Sequence, residues 1–88
     1  MSLSDLEQRA RETVIERGKH YGPAIKTAER FARSAQDALG VEVEPEDYPR
    51  LMIHAKLARD PALLIEDTRL DIVGYLQILE SMQREGEG

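Results

Sequence analysis

Eighty-eight residues, 41% of them hydrophobic, are enough for one domain, but a chain this short buries a modest share of its surface, so a homo-oligomer is expected. A formal net charge of −5 disfavours nucleic acid as the main partner, and the absence of cysteine excludes disulfide staples, thiolate metal sites and cysteine nucleophiles. There is no basic-then-apolar leader and no run approaching the ~18 apolar residues of a membrane span, so a soluble, cytoplasmic protein without a membrane partner is expected.

With one Phe, three Tyr and no Trp, the core must come from Leu, Ile, Val, Met and Ala, which suits helix against helix. From Ser4 to about Arg17, residues Leu6, Ala10, Thr13, Val14 and Arg17 recur at helical spacing. Ser4 is the expected cap, with Asp5 and Glu7 near the positive end of the dipole, and Gly18 the expected stop. Lys19, His20, Tyr21 and Gly22 read as a connector. Pro23 suits the first position of a second helix, Pro23 to Leu39, with Ile25, Ala28, Phe31, Ala32, Ala35 and Leu39 on one stripe and Gly40 as its stop.

Val41 to Glu46 alternates apolar and acidic residues but has no strand partner, so an extended loop is expected. Pro45 and Pro49 both lie near the start of a third helix, which is placed at about Pro49 to Arg59. Leu51, Met52, Ile53, Ala55, Leu57 and Ala58 make it apolar nearly all round, the pattern of a buried helix. Asp60 and Pro61 break it. A fourth helix is expected over about Glu66 to Gln83, followed by a frayed tail from Arg84 to Gly88. The expected whole is one all-α domain, residues 1–88, of four antiparallel helices that pack into a homodimer.

One constellation carries chemistry. Asp67, Asp71, Gly74, Tyr75 and Ile78 share one side of the fourth helix. Two carboxylates one turn apart can hold a hard cation such as Mg²⁺. Gly74 costs ~1 kcal/mol of helix propensity relative to Ala, so a neighbour is expected to need that space. Lys56 and Arg59 lie on an otherwise apolar helix and need solvent or carboxylate partners. Asp67 and Asp71 are the nearest in sequence. The four residues form either a structural ion cluster or a phosphate site beside a carboxylate-held metal. His20, leading into a helix N-terminus, is a further candidate for binding phosphate. No glycine-rich phosphate loop, nucleophile elbow, paired-histidine zinc motif or EF-hand loop is present.

Tyr21-Gly22, Val43-Glu44-Pro45-Glu46-Asp47, Lys56-Leu57-Ala58-Arg59, and Asp67 with Asp71-Ile72-Val73-Gly74-Tyr75 together resemble a family of short phage proteins of unknown function. The pattern is similar to phage-encoded nucleotide modification associated domains and, more distantly, to all-α MazG-type pyrophosphohydrolases. That resemblance implies action in the host cytoplasm and Mg²⁺-dependent cleavage of a nucleotide phosphoanhydride. It places Asp67 and Asp71 on the second of two metal-binding helices. Where the first would carry carboxylates, this chain has Lys56 and Arg59. The expectation is therefore a nucleotide phosphate on Lys56, Arg59 and His20, with Mg²⁺ on Asp67 and Asp71 conditional on ligands from elsewhere. The alternative is a non-catalytic helical interaction module.

Overall fold

The computed structural model describes residues 2–87; the side chains of Tyr21 and of residues 85–87, and Gly88 of the expected tail, lie outside that description. Four helices follow in order: α1 (Leu3–Tyr21), α2 (Ala24–Leu39), α3 (Asp47–Arg59) and α4 (Glu66–Glu87). The protein is all-α, with no strand among the described residues. None of these helices is long and apolar enough to cross a membrane.

Local chemistry moves several boundaries from where the pattern put them. The α1 cap is Ser2, not Ser4: its Oγ accepts from the Asp5 amide at 3.2 Å and donates to the Asp5 carboxylate at 2.8 Å. The helix passes through Gly18 and ends at Gly22, whose φ of 82° is left-handed and whose N–H reaches the Gly18 carbonyl at 3.0 Å. Glu16 lies 3.3 Å from Lys19 and 3.5 Å from His20, and a lysine in the last turn suits the dipole. That extra turn makes His20 helical and removes the expected connector. Pro23 becomes the cap of α2, with Ala24 its first helical residue.

Gly40 ends α2 in the left-handed conformation, as its position suggests. Residues 41–46 form a loop, tied back by a bond from the Val43 amide to the Gln36 side chain. α3 begins at Asp47, two residues before Pro49, because a proline in a first turn removes an N–H that has no helical acceptor. α4 runs past Gln83 to Glu87, so residues 84–87 of the expected tail are helical.

Buried side chains are few and small. The buried apolar ones are Ala10 of α1, Ala28 and Ala32 of α2, Pro49 of α3, and Tyr75 and Met82 of α4. α4 is the hub, packing broadly on α1 and α3, while α2 lies mainly on α3. Polar contacts tie α4 to α1: Gln77 donates to the Glu7 carbonyl at 2.9 Å, and Arg9 pairs with Glu66. α3 departs from its expected burial. Of its residues only Pro49 is buried, and Leu51, Ala55 and Ala58 face outward, because no element of this chain covers that side.

The α3–α4 connector is organised by one carboxylate. Asp60, only 6% exposed, accepts from the Leu64 amide at 3.0 Å and the Ile65 amide at 2.9 Å, and also bonds the Thr68 side chain. These hydrogen bonds, the Ile65 one foremost, hold its pKa below the ordinary carboxylate value. Leu63 takes a left-handed φ of 56° to complete the turn, and Arg69 donates to its carbonyl at 2.6 Å. A lowered folded-state pKa stabilises the fold above the unfolded-state value, and that contribution vanishes as pH falls through the folded-state value. Asp60→Ala should therefore lower the melting temperature clearly at pH 7. Circular dichroism melts down to pH 3 should show the gap to wild type closing on acidification.

Candidate functional site

Asp71, Gly74, Tyr75 and Ile78 do share one side of α4, and α1 lays Ala10, Thr13, Val14 and Arg17 opposite them. The start of α2 adds Ala24, Thr27 and Arg30, and Tyr48 of α3 enters from behind. α1 and α2 touch only sparingly, so these residues enclose an open cleft of about 740 Å³. That is within the usual range for small-molecule sites.

Asp71 sits at its centre. The carboxylate is 16% exposed; one oxygen lies 3.0 Å from Lys56 Nζ and the other 3.6 Å from Arg17 Nη2. Lys56 is itself only 22% exposed, so this pair is less screened than an ordinary surface ion pair. Lys56 and Asp71 thus meet, as their sequence proximity suggests. Asp67 and Arg59 are both exposed and form no ion pair among the described residues; neither lines the cleft. His20 does line it, from the last turn of α1. Among the described residues no three His, Asp or Glu side chains converge as a metal site would require.

The aromatic residues stack into a small wall. Phe31 and Tyr48 are 5.1 Å apart between ring centroids, and Tyr48 meets Tyr75 edge-on at 5.9 Å. Burial, then the charge and hydrogen bond of Tyr75, push the Tyr48 hydroxyl up to about 12, against a lowering influence from Arg17. Tyr48 and Tyr75 both reach the cleft, which gives it apolar flanks beside cationic groups.

Charge is distributed unevenly. The chain is net negative, yet the cleft holds two guanidiniums, Arg17 and Arg30, against the single carboxylate of Asp71, which Lys56 already neutralises. Arg30 has no ion pair among the described residues. Arg17, Arg30 and Tyr48 were not singled out as site residues from the sequence. Arg17 had left a signal, a guanidinium on the inward stripe of α1; Arg30 and Tyr48 left none, since the cleft depends on how the helices splay.

Gly74 corrects a further expectation. A Cβ built there would meet Val14 Cγ2 at 3.6 Å, an ordinary contact, so helix crossing does not demand glycine. What the missing methyl leaves is room in the cleft.

The fold and site define a small all-α domain with an open, cationic, aromatic-flanked cleft. The family model described as Domain of unknown function (DUF6378) matches residues 6–83, and the chain belongs to that family. Among curated proteins it is similar to the Gene 55 protein of Mycobacterium phage L5, at 40% identity over 70 residues. The match covers 77% of this chain and 45% of that protein, so the chain spans less than half of the relative's length. No solved structure matches.

Two measurements follow. Absorbance titration should show one tyrosine ionising near 12, and the stability that Tyr48 confers below pH 10 should fade as pH rises through that value. Gly74→Ala should raise unfolding free energy by up to ~1 kcal/mol in urea melts, through helix propensity.

Proposed function

We propose that the cleft binds a nucleotide, with Arg17 and Arg30 meeting its phosphates, His20 assisting at the rim, and Tyr48 and Tyr75 flanking its base. The observation that carries this reading is the charge contrast: a chain of net charge −5 gathers two guanidiniums around an aromatic-lined concavity. Guanidinium and phosphate match in geometry as well as charge. The resemblance to nucleotide modification associated domains and MazG-type enzymes points to the same ligand class. Similarity to a mycobacteriophage product supports a phage setting, with action in the host cytoplasm.

In this reading Lys56 holds Asp71 in place, and Arg59 stands apart from the phosphate. Mg²⁺ on Asp71, with or without Asp67, would have to displace Lys56 and Arg17, so binding is taken to be independent of the metal. Mg²⁺-assisted hydrolysis of a phosphoanhydride remains the reaction that the resemblance implies, and it needs ligands beyond these two aspartates. A second reading, a non-catalytic interaction module, draws on the same ion pairs, which explain Lys56 and Asp71 without any ligand.

Thermal-shift assays with nucleoside mono-, di- and triphosphates, with and without Mg²⁺, separate the two. Ligand at one hundred times its Kd adds about 2.7 kcal/mol of stability, a rise of several degrees. The nucleotide reading expects that rise without Mg²⁺, its loss in Arg17→Ala and Arg30→Ala, and its weakening in Gly74→Ala as the cleft narrows. Lys56→Met should melt lower but keep a measurable shift. No shift with any nucleotide at millimolar concentration leaves the interaction module as the better account.

A further inference from the structure

The single chain is under-packed. It exposes 6265 Å², whereas a compact monomer of 10.0 kDa exposes about 5200 Å², roughly 1000 Å² less. Its radius of gyration is 13.6 Å, against about 12 Å for a compact domain of this length. The excess is close to the ~800 Å² that each partner contributes to a standard specific interface.

Five of the nine large hydrophobic residues exposed among the described residues follow one another along α3, the connector and α4; the other four, Leu3, Ile15, Leu39 and Val41, are spread over α1, the end of α2 and the loop after it. Leu51 of α3 is 47% exposed, Ile65 at the entry to α4 56% and Leu76 of α4 51%, with Leu63 and Leu64 beside them in the connector. Ile65 at the entry to α4, and Ile72, Leu76 and Leu79 on it, recur at spacings of seven, four and three. They form one stripe. It borders the buried Thr68, Tyr75 and Met82: Ile72 and Leu79 are half-buried, Ile65 and Leu76 exposed. α3 adds to this: α2 and α4 pack on it, yet Leu51, Ala55 and Ala58 share a side that stays exposed.

We infer that a second copy of the chain covers this face, in a two-fold dimer whose centre is the stripe Ile65, Ile72, Leu76 and Leu79 of α4 together with Leu51 of α3. The missing area is the size of one partner's share of a stable interface, which favours a copy over a short peptide. The stripe is also self-complementary. If two α4 helices run in opposite directions about an axis between Ile72 and Leu76, Ile72 meets the partner's Leu76 and Arg69 comes opposite the partner's Leu79. That is the isologous pairing a two-fold axis requires. The inference does not rest on the nucleotide reading, since no residue of the stripe lines the cleft.

Sedimentation equilibrium of the full chain from 1 to 200 µM tests it, with Leu76→Glu and Ile15→Glu as paired variants. Ile15 on α1 is 58% exposed and lies off this face, and neither position is buried, so circular dichroism should show both variants folded. The expected result is a wild-type dimer, an Ile15→Glu dimer, and a Leu76→Glu monomer with at least tenfold weaker association. A wild type that stays monomeric at 200 µM overturns the proposal. So does a dimer that Leu76→Glu leaves intact or that Ile15→Glu dissolves.

Discussion

The carboxylate of Asp71 is the point at which three of the four helices are tied. It projects from α4, one oxygen on Lys56 of α3 and the other toward Arg17 of α1, in a position largely shielded from water. In a core otherwise made of alanines, a proline, a methionine and a tyrosine, there is little shape to dictate how helices sit against one another. Alanine surfaces slide; an ion pair does not. Removing Lys56 or Asp71 would leave the other part-buried without its nearest counter-charge, which costs more than never having buried it. The ion pairs therefore select an arrangement more than they strengthen it, and the cleft inherits its geometry from that selection.

The same economy explains why the interior is so open. Small side chains let α4 approach both α1 and α3, but α2 reaches the bundle mainly through α3, and Phe31 against Tyr48 is its principal aromatic contact. The gap this leaves between α1 and α2 is the cleft. A bundle with bulkier residues along α2 would close it. Openness here is a product of composition, the 5% aromatic content of the chain, as much as of any single residue.

Much of this was legible in the linear pattern, and the failures share a cause. Helical periodicity located all four helices, and Gly40 ended α2 where expected, because those signals are local. Gly18 misled because glycine inside a helix and glycine after one look alike until the next turn is known. Lys19 and His20, paired with Glu16, carried α1 onward to Gly22. As a pattern Asp60 reads only as a breaker, although its carboxylate satisfies two backbone amides, since accepting from amides four and five positions ahead depends on the turn it creates. The meeting of Lys56 with Asp71 followed from proximity in sequence. Arg30 could not be assigned that way, because its place depends on the angle between α1 and α2, and no spacing rule encodes an angle.

The connector Asp60–Ile65 bears on more than the turn itself. Each residue added to or removed from a helix entry rotates everything after it by about 100°. Asp60, bound to the Leu64 and Ile65 amides and to Thr68, sets the rotational phase at which α4 leaves the turn. At the phase it sets, Asp71 faces Lys56 and Tyr75 faces Tyr48. One residue more or less would turn both away and bring Ile72 or Leu70 toward the cation instead. The length of this segment is thus constrained as tightly as any side chain of the site.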